Sequence, residues 1–199
     1  MVTPDRPADW DPSPAAPGGL EPVRRFVNTL DCYRRRDGLT DLPTARRSLR
    51  HAGIPGAAQI ARRLDPASLT AFRQARAAMR AVLGCTTWWD PRAAPGIGGE
   101  CREQVPEWPV VVRVDLGPGG VHLAHTQHAA ESALSVMALD LLIARQTGTI
   151  NRLKVCANPG CQWVFWDSSR PSSARWCSMR VCGGQAKSRR HRERHAVRR

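Results

Sequence analysis

The sequence predicts an α+β chain: a mainly helical N-terminal domain with a small antiparallel hairpin, then a small C-terminal module ending in a basic helix. Three observations predict it. Apolar residues recur at steps of three and four over residues 20–83 and again over 126–148, the period of helices with one buried face. Between these blocks, "PVVVRVDLGPGGVHLAH" carries two β-type runs around a Gly-Pro-Gly-Gly turn. The last 49 residues combine two cysteine pairs with a run of arginines and few aliphatic side chains.

Residues 1–19 hold five prolines and no apolar period, so they read as a disordered tail. From Leu20, "LEPVRRFVNTLDCYRRR" places Leu20, Val23, Val27 and Leu30 on one helical face. "DLPTARRSLRHAG" has an acidic cap, an early proline and a closing glycine, the marks of a short second helix. "LDPASLTAFRQARAAMRAVLG" is the clearest helix, with Asp65 as cap, Pro66 in its first turn and a stripe of Leu69, Phe72, Ala75, Met79 and Val82. Residues 84–108 are rich in glycine, proline and tryptophan and read as a long loop. After the hairpin, "TQHAAESALSVMALDLLIARQTG" forms a long helix from about Thr126 to Gly148. The expected domains are therefore 20–150 and 151–199.

Charge separates the same two parts. The 199 residues carry a formal net charge of +13. Residues 1–150 hold 18 basic and 15 acidic side chains, net +3, whereas residues 151–199 hold 12 and 2, net +10. So concentrated a charge points to an anionic partner for the C-terminal part. The N-terminus lacks the basic-then-apolar layout of an export signal. The most apolar run, "ALSVMALDLLIA", is short and interrupted by Asp140, so no membrane partner is expected. The expected location is a reducing cytoplasm, where paired cysteines hold metal more readily than disulfides.

Cys156 and Cys161 are separated by four residues, Cys177 and Cys182 likewise, with fifteen between the pairs. Zinc prefers four soft ligands in a tetrahedron, and two short loops can each present two thiolates. "CANPGC" offers a turn, and "CQWVFWDSSRPSSARWC" an apolar run, a polar turn and a second strand ending at Trp176. The sketch is a knuckle, a hairpin and a helix, a treble-clef-like zinc module. Trp163, Phe165, Trp166 and Trp176 are expected to pack beside the metal, and Arg175, Arg180 and Lys154 to offset the charge of four thiolates. Some 45 residues with so few aliphatics need such a crosslink, which supplies on the order of 10–16 kcal/mol in finger peptides. A rival ligand set, Cys177, Cys182, His191 and His195, has a short spacer between its pairs.

Four protein thiolates leave no open coordination position, so the zinc ion reads as structural and the chain as no enzyme. Beyond Cys182, "GGQAKSRRHRERHAVRR" favours helix and has no apolar stripe. Such a helix suits a phosphate backbone or a major groove. The candidate contacts to double-stranded DNA are Arg175, Lys187, Arg189, Arg190, Arg192 and Arg194. His122, His125 and His128, the pair Trp88 and Trp89, and the isolated Cys32, Cys85 and Cys101 are secondary candidates for which surface, core or inert roles come first.

The stretch "LKVCANPGCQWVFWDSSRPSSARWCSMRVCGGQAKSRRHR" closely resembles the CGNR zinc finger, a C-terminal module of bacterial proteins described as stress-induced transcription regulators. The N-terminal partner in that family is the ABATE domain, and "RFVNTLD" is similar to its opening motif. The resemblance implies zinc on Cys156, Cys161, Cys177 and Cys182, DNA as partner, and a regulatory or dimerising role for residues 20–150. A homodimer and a small-molecule effector are compatible with that role. Here "CGGQ" stands for the name-giving tetrad, so a contact made by its last two residues is in question. The other classes left open are an RNA-binding or protein-interaction adaptor and a thiolate-zinc redox sensor.

Overall fold

Helix α1 (Leu20–Val27) buries Leu20, Val23, Phe26 and Val27, the face that the sequence period marks out. The computed structural model describes residues 11–84, 87–89, 98–100, 113–117, 120–124 and 129–196. Arg24 lies on the buried side of α1, 1% exposed, and its guanidinium is forked between Asp11 at 2.5 Å and Glu21 at 2.7 Å. Residues 11–19 therefore differ from the disordered tail expected over 1–19. A buried guanidinium needs carboxylate partners, and Asp11 is one of them, while Ala16 is buried in the core.

A two-residue pair, β1 (Leu30–Asp31) with β2 (Arg36–Asp37), follows α1. Helix α2 (Leu42–Ala52) starts where Asp41 accepts the Thr44 amide at 2.7 Å and stops at Gly53, whose φ of 65° is the left-handed C-cap. A short α3 (Ala57–Arg63) comes next. The sequence period does not reveal it, because it is seven residues long and buries only Ile60 and Ala61. In α4 (Pro66–Val82), Asp65 caps through the Ser68 amide, as expected. The stripe Leu69, Phe72, Ala75 and Met79 is buried, but Val82, in the last turn, is 49% exposed. Phe26 and Phe72 meet edge to face at 5.9 Å.

The expected hairpin is present as β5 (Arg113–Gly117) against β6 (Gly120–Ala124), antiparallel with Gly117 opposite Gly120. The long loop expected over 84–108 contains a further pair, β3 (Thr87–Trp89) with β4 (Gly98–Glu100). Cys85, Cys101, His125, His128 and the expected helix start at Thr126 lie outside the described residues; Trp88 and Trp89 fall on β3 and His122 on β6. Helix α5 (Ala129–Gln146) packs on α1 and α4 through Ala133, Leu134, Met137 and Leu141. Among the described residues no helix is long and apolar enough to cross a membrane.

The C-terminal part begins with β7 (Leu153–Val155), which pairs antiparallel with β8 (Val164–Trp166). This corrects the expected hairpin, whose second strand was placed at Trp176. The knuckle itself is the hairpin connection, and residues 174–176 form no strand. Helix α6 (Gly184–Ala196) is the last element among the described residues. The architecture is thus helices with small antiparallel pairs.

Candidate metal centre

Strand β7 delivers Cys156, and β8 starts three residues beyond Cys161, so the knuckle is clamped at both ends. The Cys156 amide donates to Trp163 O at 2.9 Å, closing the hairpin beneath the first ligand. Asn158 shapes the turn: its carbonyl accepts the Cys161 amide at 2.8 Å, and its side-chain oxygen accepts the Gly160 amide at 3.2 Å. These are the local bonds that asparagine offers a tight turn. Of the second pair, Cys177 comes just before a π-type turn, Met179–Gly183, where Ser178 Oγ accepts the Val181 amide. Cys182 is within this turn, and α6 leaves directly from it.

The four sulphurs converge. One ligand atom from each cysteine lies within 4.8 Å of all the others, and the residues are between 0% and 5% exposed. Cys161 Sγ is 3.7 Å from Cys177 Sγ, which is 3.8 Å from Cys182 Sγ. A tetrahedron with a metal–sulphur bond of about 2.3 Å has an edge of about 3.8 Å. Disulfide sulphurs would sit at about 2.05 Å. The spacing fits one zinc ion and no crosslink. The rival set fails, since His191 and His195 lie in contact with each other, exposed on α6, outside the sulphur cluster.

Four thiols this close share protons unequally. Hydrogen bonding to its neighbours draws Cys161 down to about 7, with Cys156 the largest contributor, and Cys182 falls below the usual thiol range for the same reason. Cys156 and Cys177 are pushed up, chiefly by Cys161 and Cys156 respectively. Zinc removes the competition by binding all four as thiolates. A neutral donor supports the resulting charge: Asn158 Nδ2 lies 3.6 Å from Cys182 Sγ and 3.0 Å from Gln185 Oε1. Gln185 Nε2 donates on to the Tyr33 hydroxyl at 2.9 Å. The glutamine that interrupts the tetrad thus faces inward, between the knuckle and the N-terminal part.

Asp167, invisible as a functional residue in the sequence, organises the long loop between the cysteine pairs. Burial opposes its charge. The Lys154 ammonium at 2.6 Å and the Ser169 and Ala174 amides outweigh that and hold its carboxyl well below the ordinary range. Lys154 is therefore committed to Asp167 rather than standing beside the thiolates. Arg175 lies over the Trp176 ring, 5.7 Å from its centroid, and Arg180 is exposed. The apolar cluster beside the metal is Trp163, Phe165 and Val181, with Trp176 and Tyr33 packed against it. Trp166, expected in it, packs instead on the main core together with Val164. Period-two alternation along β8 sends neighbouring side chains to opposite faces.

Lys187, Arg189, Arg190, Arg192 and Arg194 are all exposed on α6; Arg189 and Glu193 approach to 3.9 Å.

Four buried cysteines at tetrahedral spacing, on a knuckle and a helix start, define a zinc-binding module. Residues 152–195 match the family model of the CGNR zinc finger. Zinc is accordingly the ion that the four close, buried thiols of Cys156, Cys161, Cys177 and Cys182 suit. No curated protein matches the chain.

Proposed function

We propose that this protein is a DNA-binding transcription regulator, with residues 151–199 as a treble-clef-like reader and residues 20–150 as an ABATE-type regulatory or dimerisation domain. The carrying observation is α6: every side chain from Lys187 to His195 is exposed, with five cations to one carboxylate, on a helix rooted at the zinc ligand Cys182. A helix with no apolar face that is anchored by a metal centre gains nothing from packing. Its shape and charge suit a groove lined by phosphates. All four coordination positions are protein thiolates, so the reading gives zinc a scaffolding role and no catalytic one. Burial of the four cysteines, 5% exposed at most, weighs against a redox sensor, which needs accessible thiolates.

The test is duplex binding measured against salt. Four to five phosphate contacts give a slope of log affinity on log salt of about −4, and each α6 arginine changed to Gln reduces it by about 0.9. A salt-independent affinity, or one unchanged when Arg189, Arg190, Arg192 and Arg194 are all Gln, rules out α6 as the reader. Equal affinity for duplex and single-stranded RNA favours the adaptor reading.

A further inference from the structure

The end of α1, the β1–β2 turn and α2 border a cleft of about 740 Å³, lined in part by Trp163 of the zinc module. That volume suits a small organic ligand, for which pockets span roughly 300–1,000 Å³. The charge of its lining is uneven. Three carboxylates border it, and each is already held by an arginine: Asp11 by Arg24, Asp31 by Arg34 and Asp37 by Arg76. Arg25, also at the rim, is committed to Glu21. Arg35 and Arg36 remain, exposed and without an ion-pair partner among the described residues; Arg47, also exposed, donates to Thr44 Oγ1 at 3.2 Å and lends its charge to Asp41.

Arg35 adds a second observation. Its φ of 54° is left-handed, a conformation that costs a non-glycine residue about 1 kcal/mol or more and that clusters at ligand clamps. Trp163 supplies a third. The residue is 8% exposed, and its indole N–H has no acceptor among the described residues.

We propose that this cleft binds a small organic polyanion, its phosphate or carboxylate groups held by Arg35, Arg36 and Arg47. Guanidinium forks match either oxyanion. The site deepens the regulatory reading of residues 20–150, since its lining includes a side chain that also packs beside the zinc ligands. It does not depend on DNA binding, and the two are tested apart.

The experiment is calorimetric titration of the zinc-loaded full-length protein, free of DNA, at about 150 mM salt, where loose surface charge is largely screened. The probes are inorganic phosphate, citrate and adenosine 5′-monophosphate, with adenosine as the uncharged control. Citrate or the nucleotide is expected to bind saturably, and adenosine not at all. Stronger binding of the nucleotide marks a phosphate-bearing ligand, and of citrate a carboxylate-bearing one. Combining Arg35→Gln, Arg36→Gln and Arg47→Gln weakens binding at least about tenfold. Changing Arg189, Arg190, Arg192 and Arg194 to Gln alters it less than about twofold. These residues are exposed, so neither variant threatens the fold; Trp163→Phe, which keeps an aromatic ring but removes the indole N–H, checks the floor. The proposal is overturned if no anion binds saturably, if inorganic phosphate binds as well as the organic probes, or if affinity follows the α6 variant and ignores the cleft variant.

Discussion

Cys161 stands 3.7 Å from Cys177 Sγ, in a knuckle whose backbone bonds are supplied by Asn158. Changing Cys161 to Ser removes one thiolate from zinc, and the prediction is local. Amides of 156–161 and 174–185 lose their native dispersion, while those of Leu153 and Val164 keep theirs. The reason is Asn28, which accepts from the Val164 amide at 2.9 Å and donates to its carbonyl at 2.7 Å, independently of the metal. Heteronuclear NMR of the variant, or of protein stripped by a chelator, decides it; collapse of the Val164 signal would mean that the metal holds both sides of β8. Gly184 carries an opposite expectation. It starts α6 at φ −63°, and an added Cβ would come no nearer than 3.8 Å to Met179 O. Gly184→Ala should raise stability by about 0.4–1 kcal/mol by restricting the unfolded chain. Gly183 differs, because a Cβ there would stand 2.9 Å from Met179 Sδ.

The β1–β2 pair is four residues of strand and cannot hold itself together. Arg76 of α4 holds it, meeting Asp37 at 2.5 and 2.8 Å and Thr29 Oγ1 at 3.0 Å. Burial disfavours the Asp37 charge, and Arg76 more than compensates, so its pKa is lowered. A lowered folded pKa contributes stability that is complete above the unfolded carboxyl value of about 4 and is lost as pH falls below it. Arg76→Met is expected to cost about 3–5 kcal/mol at neutral pH, because Asp37 stays buried without its partner. Its stability should also fall less on acidification than that of the native chain. Denaturant titrations at pH 7 and pH 3 check both; parallel losses in the two proteins would show that the pair does not govern the acid limb. In α6 the contrast is plain: the side chains from Lys187 to His195 are exposed, and they carry five cations to one carboxylate.

The boundary expected near residue 150 falls inside a shared core. Leu153 and Val164 are buried among Val23, Phe26 and Leu134, and Arg80 of α4 donates to Gln162 O at 3.3 Å. Together with Asn28–Val164 and Tyr33–Gln185, these ties join the zinc module to the helices. A chain ending at residue 150 should therefore be less stable than residues 1–150 in the full protein. Losing Leu153 and Val164 leaves two apolar gaps, each costing about 2–4 kcal/mol when large side chains are removed from a core. Comparing amide exchange in α1 between the fragment and the full chain measures this; identical protection would establish two independent domains.

Much of the design was legible from residue types alone. Asp41 and Asp65 before prolines, Gly53 after a last turn, the apolar face of α1 and the paired cysteines are local signals. Each reports on neighbours within a few positions, where backbone geometry leaves few choices. The partners of buried charges were not legible. Arg24 with Asp11, Arg76 with Asp37, and Gln185 with Tyr33 are separated by 13, 39 and 152 positions, and no local period reports such a distance. Nor could residue types say which face of β8 meets the metal and which the helices, since alternation sorts the two sets without naming their destinations. Those assignments follow from the packed chain, because a buried charge is costly until the fold brings it an opposite charge or hydrogen-bond partner.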